Sequence, residues 1–264
     1  NSLHHGAQGK IIDALNVIGE RKTFTEKFGN AMWQELNELI GKHRSHPGSQ
    51  WAISDSELSN LIQAAAPFCP KSPVDYWMGL FCTWDPYIGI SVTDDTDKYM
   101  EELGRLRADA IQEIAEVEGT EGVTKLARDA DVVGSVGGAL AKAGLEYDKQ
   151  LLEWITDENG KLVENARSFF TTNYKLKGFP YIQKFLAMED LSDKAKARLL
   201  LLANDDFESA WRWGDDNPNV MAIYWSEFSV YGLGQNLEQV IEIGSSLLQA
   251  KRPSATIKLM LVYS

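Results

Sequence analysis

The sequence contains few cysteines, no long apolar run and a deficit of positive charge. Its two cysteines, Cys69 and Cys82, are too few for a disulfide scaffold and are typical of a protein in a reducing compartment. No apolar run approaches the ~20 residues that a transmembrane helix needs, and the first residues lack the basic and apolar regions of a signal peptide. These absences predict a cytoplasmic protein that does not associate with membranes.

The charge balance excludes one further class of partner. The chain has 26 basic and 38 acidic residues, which gives a formal net charge of −12. Because such a surface repels a phosphate backbone, we expect no nucleic-acid partner. Hydrophobic residues make up 44% of the chain and charged residues 24%, which indicates a folded protein and not a disordered one. The oligomeric state stays open at this point.

Hydrophobic residues recur with the period of an α-helix along most of the chain. The spacing predicts a helix over 23–42, a longer one over 97–118, and two more stripes over 162–174 and 237–248. No comparable stretch has the alternating pattern of a half-buried strand. The sequence therefore predicts an all-α fold.

Residues that start and stop helices agree with these stripes. Ser54 and Glu57 form a capping-box pattern, in which each side chain bonds the backbone amide of the other residue. Asn217 precedes Pro218, a residue that is well tolerated at the first position of a helix. We also predict N-caps and glycine C-caps elsewhere: the N-caps are Ser192 and Thr120, and the C-caps are Gly144, Gly160 and Gly178.

The second half of the chain shows helix starts at a nearly regular interval. A pair of such helices would recur every ~30 residues, as in TPR-like arrays, although the TPR signature residues are missing. We therefore predict an irregular α-solenoid, that is, a helical array of antiparallel helix pairs. The predicted starts lie near residues 147, 162, 178, 192, 205, 217, 235 and 252.

Residues 67–96 interrupt the helical pattern. The stretch holds half of the eight prolines, which argues against a long helix, and many aromatic residues, which argue against a floppy linker. We predict an ordered connection between an N-terminal helical segment, 1–66, and a helical-array region, 97–264, the whole forming one continuous domain as an alternative. Because the last residues, 258–264, form an apolar helix without a polar outer face, we expect the chain to be a piece of a longer protein.

An acidic run provides the best metal-site candidate. Asp94, Asp95 and Asp97 are oxygen ligands of the kind that hard cations prefer, but the alternation and the central glycine of an EF-hand loop are missing. The favoured interpretation is that these acids mark the start of the following helix, where negative charge is stabilising. The metal site is kept as the alternative, and we predict no cofactor.

Two other patterns are weaker than they look. His43 and His46 lie upstream of Cys69 and Cys82, but these cysteines are too far apart for the usual zinc-site pairs, so we predict small, buried, apolar cysteines instead. The glycine-rich stretch 134–141 lacks the Gly-Lys-Ser/Thr of a phosphate-binding loop. For that stretch we predict close packing between helices.

Tryptophans and acids are concentrated together near residue 211. Rings that stack on a sugar and a pair of carboxylates would suit carbohydrate binding or hydrolysis, whereas the same aromatics also suit packing between neighbouring helices, which we favour. Asp205 and Asp206 precede the cluster. If the region forms a surface, its aromatic and acidic residues are the predicted binding residues: Trp211, Trp213, Asp215, Asp216, Tyr224 and Trp225.

Several segments resemble the long helical regions of large, poorly characterised bacterial multidomain proteins, some of which carry an NTPase or effector domain elsewhere. The resemblance covers the chain from about residue 40 onward, implies a helical scaffold or sensor region, and transfers no catalytic residue. Its segments are 51–58, 73–81, 105–114, 132–134, 224–225 and 250–255.

These observations lead to two hypotheses about function. The first is a non-enzymatic protein-interaction or scaffold module within a larger intracellular bacterial protein, which binds a protein with basic patches or a neighbouring domain of its own chain. The alternative is a helical enzyme that acts on a carbohydrate or a phosphorylated substrate through paired carboxylates. Since no convergent catalytic set is visible in the sequence, we favour the first.

Overall fold

A computed structural model describes residues 2–21, 24–91, 95–203, 206–230 and 237–263. These residues form fifteen α-helices and one 3-10 turn, with no β-strand in the part of the chain described. The predicted all-α class is thereby confirmed. None of the described helices combines the length and the apolar composition needed to cross a bilayer.

The chain divides into two compact units, Asn1–Glu146 and Tyr147–Ser264. Seven α-helices and the 3-10 turn belong to the first unit. Their bounds are α1 Ser2–Arg21, α2 Glu26–Ser45, α3 Asp55–Ala65, the turn Ala66–Phe68, α4 Pro73–Trp77, α5 Gly79–Cys82, α6 Thr96–Asp129 and α7 Ser135–Ala143.

Helices α1, α2 and α3 share a small core in the first unit. Leu36 and Ile40 of α2 pack with Leu61 of α3 and Phe68 of the 3-10 turn, and all four are buried. Helix α3 begins with the predicted capping box: the Ser54 hydroxyl accepts from the Glu57 amide at 3.3 Å, and Glu57 Oε2 accepts from the Ser54 amide at 3.0 Å. This prediction is confirmed.

Helix α6 contains a break that the sequence located almost correctly. Gly119 has φ 64° and ψ −155°, so the helix stops after Glu118, the predicted end, and resumes at Thr120. The prediction that Thr120 is an N-cap is wrong, because Thr120 is already helical and the glycine itself makes the break. A positive φ with this ψ is accessible to glycine and strained for any other residue.

The proline-rich stretch packs against helices of the first unit. Pro73 opens α4, and the carboxylate of Glu118, next to the break in α6, accepts from Ser72 Oγ at 2.6 Å and from the Val74 amide at 3.3 Å. Asp75 in α4 accepts from Asn30 Nδ2 at 2.7 Å and from Lys125 Nζ at 2.8 Å. A negative group at the start of α4 satisfies backbone amides that have no partner within the helix.

The glycine-rich stretch forms the start of α7. Gly134 adopts a left-handed φ of 83° just before the helix, and α7 packs on α6. Gly137 and Ala139 are among the buried residues of α7. This arrangement agrees with the predicted close packing.

Eight of the described helices belong to the second unit, and each begins within two residues of a predicted start. The predicted helix starts in this half of the chain are therefore confirmed, although the intervals between them range from 11 to 19 residues. The bounds are α8 Asp148–Trp154, α9 Gly160–Lys177, α10 Phe179–Leu186, α11 Asp193–Leu200, α12 Phe207–Gly214, α13 Pro218–Glu227, α14 Leu237–Gln249 and α15 Pro253–Tyr263.

The predictions of helix caps in this region are partly confirmed. Ser192 accepts from the Ala195 amide at 3.3 Å, and Gly144 and Gly178 end α7 and α9 with φ values of 68° and 69°, as predicted. The prediction that Gly160 is a C-cap is wrong: Asn159 caps α9, and Gly160 is its first residue. The residues Asp-Glu-Asn before this glycine suit a helix start better than a helix end.

Helices of the second unit contact mainly their neighbours in sequence, and α11 also contacts α13. Arg198 of α11 makes this second contact specific, because its guanidinium donates to both Glu227 carboxylate oxygens, with Nε at 2.8 Å from Oε2. Its Nη1 donates to the Ile155 carbonyl at 2.7 Å. One half-buried arginine thus joins α11, the end of α8 and the end of α13.

The break in α6 leads to a testable prediction. Gly119→Ala should destabilise the protein by about 1–3 kcal/mol, because alanine is strained at the observed φ and ψ. Gly160→Ala is the matched control: neither position has an atom within 4 Å of an added Cβ, but Gly160 lacks a positive φ. Urea unfolding of both variants checks this, and equal stabilities would contradict the described break.

Candidate binding groove

An open groove of about 620 Å³ lies within the second unit, between α12, α13 and α14. We call it the tryptophan groove. Its volume falls within the 300–1,000 Å³ range that is common for ligand sites. The residues that line it are Trp211, Gly214, Asp215, Pro218, Met221, Ala222, Trp225, Glu242, Ser246, Gln249, Ala250 and Lys251.

The turn between α12 and α13 follows from its local sequence. Asp206 caps α12 by accepting from the Ser209 amide at 3.2 Å. Asn217 precedes Pro218 as predicted, but its side chain donates backward to the Trp213 carbonyl at 2.9 Å and does not cap α13. The side chain therefore satisfies the end of α12, which fixes both helices next to the groove.

A continuous aromatic cluster supports the floor of the groove. The Trp211 and Trp225 rings lie 5.7 Å apart between centroids, Phe207 stacks on Trp211 at 5.5 Å, and Phe228 contacts Trp225 at 5.1 Å. Phe207 and Phe228 are buried, whereas both tryptophans are half-buried. The cluster thus packs against both tryptophans, while each of them stays partly exposed at the groove.

Tyr224 belongs to the core beneath this floor. Its ring packs edge-on against Trp225 at 4.9 Å and is 1% exposed. Burial raises the pKa of Tyr224 well above its ordinary value, although the nearby indole N–H of Trp211 opposes the rise. The phenol therefore stays protonated near neutral pH, and its role is packing.

The sequence-predicted binding residues divide between the groove and its surroundings. Trp211, Trp225 and Asp215 line the groove. Trp213 is half-buried and Asp216 is exposed, and both lie outside the lining, as does the buried Tyr224. Their role in binding stays a prediction, and Asp205 lies outside the described residues.

One wall of the groove is formed by residues that the sequence does not predict as binding residues. Glu242 and Ser246 of α14, with Gln249 at its end, face α12 and α13 across the groove. Their polar character fits an ordinary exposed helix face, so sequence spacing carried no signal for them. Met221 of α13 lies against Gly214 of α12, where an added Cβ on the glycine would meet the methionine sulfur.

Arg252 supports the end of α13, one of the helices that form the groove. Its Nη1 donates to the Trp225 carbonyl at 2.8 Å and to the Phe228 carbonyl at 2.7 Å. These carbonyls end α13 and have no partner within the helix. A side chain from the turn between α14 and α15 thus satisfies the end of the helix that carries Trp225.

The predicted metal residues mark a helix start. Asp95 caps α6 by accepting from the Lys98 amide at 3.0 Å, and Asp97 lies in its first turn, where its charge favours the helix dipole. Asp94 lies outside the described residues. Within the described ranges, no three His, Cys, Asp or Glu side chains converge on a possible metal position.

The two histidines surround an exposed tryptophan in the first unit. The rings of His43 and His46 lie 5.4 and 5.5 Å from the Trp51 ring, and Lys42 Nζ lies 5.3 Å from the Trp51 ring centroid. His43 Nδ1 accepts from the Ile53 amide at 3.3 Å, just before α3. The histidines are thus accounted for by packing around the start of α3.

The cysteines depart from the prediction that both are buried. Cys69 is exposed and Cys82 is half-buried, and they form no disulfide. Cys69 follows the 3-10 turn, whose end places its side chain toward solvent, with Sγ donating weakly to the Pro70 carbonyl at 3.7 Å. Partial burial raises the pKa of the Cys69 thiol, which disfavours the reactive thiolate.

The geometry around Arg252 predicts a loss of stability in the second unit. Arg252→Met should destabilise the protein by about 1–3 kcal/mol, since two carbonyls lose a charged donor. It should also shift the tryptophan emission maximum, because Trp225 carries one of the two carbonyls to which Arg252 donates. Lys258→Met is the control, as Lys258 is an exposed residue of α15. Urea unfolding followed by fluorescence checks both, and an unchanged midpoint for Arg252→Met would contradict the assigned contact.

His43 predicts a pH dependence of stability. Burial lowers the pKa of His43 below its ordinary value, and the Lys42 ammonium lowers it further. As the pH falls from about 7 to about 5, the unfolded chain takes up the proton first, so stability decreases. In urea unfolding at both pH values, His43→Gln should lose less stability on acidification than the unmodified protein. A similar loss in both would contradict the prediction.

Comparison with other proteins adds no further assignment. No protein-family model, curated protein or solved structure matches this chain at a significant level. The interpretation of the groove therefore depends on its own residues and geometry.

Proposed function

We propose that the chain is a non-enzymatic protein-interaction module and that the tryptophan groove is its binding surface. Its helices would form an irregular array within a larger intracellular bacterial protein, as the resemblance to helical multidomain regions implies. Its partner would be another protein or a neighbouring domain of the same protein. The observation that carries the proposal is the groove itself, with two rigidly held, partly accessible tryptophans at its floor.

The composition of the groove supports binding of a protein segment. Protein interfaces combine apolar or aromatic anchor positions with a polar, solvent-accessible rim. Trp211, Met221 and Trp225 supply the first feature, and Asp215 and Glu242 supply the second. Tryptophan is among the residues whose truncation most often costs binding energy at interfaces.

The packing order supports the array. Most neighbouring helices of the second unit contact each other, and α11 packs more extensively against α13 than against α12. Such sequential packing is what an array of helix pairs requires. It also explains why the groove is built from three consecutive helices.

The positions of the described acidic residues favour a binding module over an enzyme that acts on a carbohydrate or a phosphorylated substrate. That alternative needs two carboxylates that face each other, one of them in an apolar pocket. Asp206 is used as a cap of α12, while Asp215 and Glu242 are exposed at the groove rim. This arrangement provides charge to a ligand more readily than it provides a protected general acid.

Peptide selection tests the proposed function. A displayed library of random 12-residue peptides, selected on the full chain, should yield peptides whose binding falls at least tenfold in Trp225→Ala, because an interface tryptophan typically contributes ~2 kcal/mol or more. Trp84→Ala is the matched control, since Trp84 is 74% exposed and belongs to the first unit. Fluorescence anisotropy measures the affinities.

The selection also has a clear negative outcome. If no peptide is enriched, or if the enriched peptides bind the Trp225→Ala and Trp84→Ala variants equally, the groove is not a binding surface. Circular dichroism and thermal unfolding establish that Trp225→Ala is folded. Ala222→Arg provides a second variant, because Ala222 is exposed and lines the groove, so the new side chain obstructs it without removing a core contact.

A further inference from the structure

We infer that the groove binds a cationic peptide segment, in which an apolar side chain contacts the tryptophans and flanking lysines or arginines face the carboxylates of the rim. This inference rests on the proposed function and specifies the chemistry of the partner. It follows from the charge, the floor and the openness of the groove, which are taken in turn below.

The charges at the groove favour a cation. Asp215 and Glu242 both line it and are exposed, so they are available to a ligand, whereas Lys251 is the basic residue in the described lining. The rim is thus net negative. Its attraction for a positively charged partner increases the association rate and favours binding.

The floor of the groove suits an apolar side chain. Trp211 and Trp225 present rigid ring surface, and Met221 lies between α12 and α13 against Gly214. Methionine is flexible and polarisable, and it adapts to irregular apolar partners. A ring face of Trp225 or Trp211 is also a favourable place for a guanidinium or an ammonium. The floor and rim together select a segment that is both apolar and basic.

The shape of the groove and the net charge of the chain further restrict the kinds of ligand that the groove can bind. The groove is open to solvent, which suits a chain segment that continues beyond it better than an enclosed small molecule. Its volume of about 620 Å³ far exceeds the ~30 Å³ share of one water, so it has room for more than one side chain. A second copy of this chain is disfavoured, because two molecules of charge −12 repel each other.

Two designed probes test the inference on the full chain. One is a fluorescein-labelled 14-residue peptide with leucines at helical spacing and lysines elsewhere, and the other has glutamates in place of the lysines. The lysine peptide should bind at least tenfold more tightly than the glutamate peptide in fluorescence anisotropy at 50 mM NaCl. Its affinity should fall as salt is raised, because exposed charges are screened.

Matched variants locate the interaction. The double variant Asp215→Asn, Glu242→Gln should weaken binding of the lysine peptide by about 3- to 10-fold, the effect of two exposed charge pairs. Asp216→Asn should change it less than about twofold, since that carboxylate lies outside the groove lining although it is adjacent in sequence. The single variants Asp215→Asn and Asp216→Asn each remove one negative charge. A comparison of these two single variants therefore separates a contact in the groove from a general effect of net charge.

The outcomes separate the two proposals. If the glutamate peptide binds as tightly as the lysine peptide and Trp225→Ala weakens both, the groove binds protein but the cationic inference is overturned. If the lysine peptide binds but Asp215→Asn and Asp216→Asn weaken it equally, the contact is non-specific and the inference is likewise overturned. If neither peptide responds to Trp225→Ala or Ala222→Arg, the groove has no binding role and the proposed function fails with it.

Discussion

The need to satisfy backbone groups at helix ends is a constraint that recurs throughout this protein. The described residues form fifteen mostly short helices, which have many terminal amides and carbonyls without a partner inside their helix. Local caps such as Ser54 and Ser192 serve some of these ends. Side chains distant in sequence serve others and so link separate helices within each unit. Glu118 bonds the start of α4, Arg107 bonds the Leu80 carbonyl, Arg198 bonds the Ile155 carbonyl and Arg252 bonds the Trp225 carbonyl.

The same constraint positions the candidate site. Asn217 satisfies the end of α12, and Arg252 satisfies the end of α13, so the two helices that carry Trp211 and Trp225 are fixed at the ends nearest the groove. Phe207 and Phe228 hold the indole rings from below. Binding by such preformed aromatic anchors avoids the entropic cost of ordering them at the moment of association. The rim carboxylates stay exposed and can respond to the charge of a partner.

Local sequence was a good guide wherever one residue and its immediate neighbours decide the outcome. The stripe over 162–174 predicted α9, and Gly178, which ends that helix, was identified because a left-handed position favours glycine. The prediction for Gly160 is wrong for a related reason, since a glycine beside Asn159 is compatible with a helix start as well as a helix end. The prediction for Thr120 is wrong because the sequence indicates a break but not which of two adjacent residues makes it.

By itself, the sequence determined the all-α class, the approximate starts of the helices in the second half and some of their caps, because these depend on hydrophobic period and on interactions across three or four residues. Tertiary structure alone decided that Glu242 of α14 completes the groove with Trp211 and Trp225, and that Asp216 lies outside it. It also decided which carbonyls Arg198 and Arg252 satisfy. The physical reason is that an exposed charge or an arginine has the same local signal on any helix, and its partner is chosen by how the helices pack.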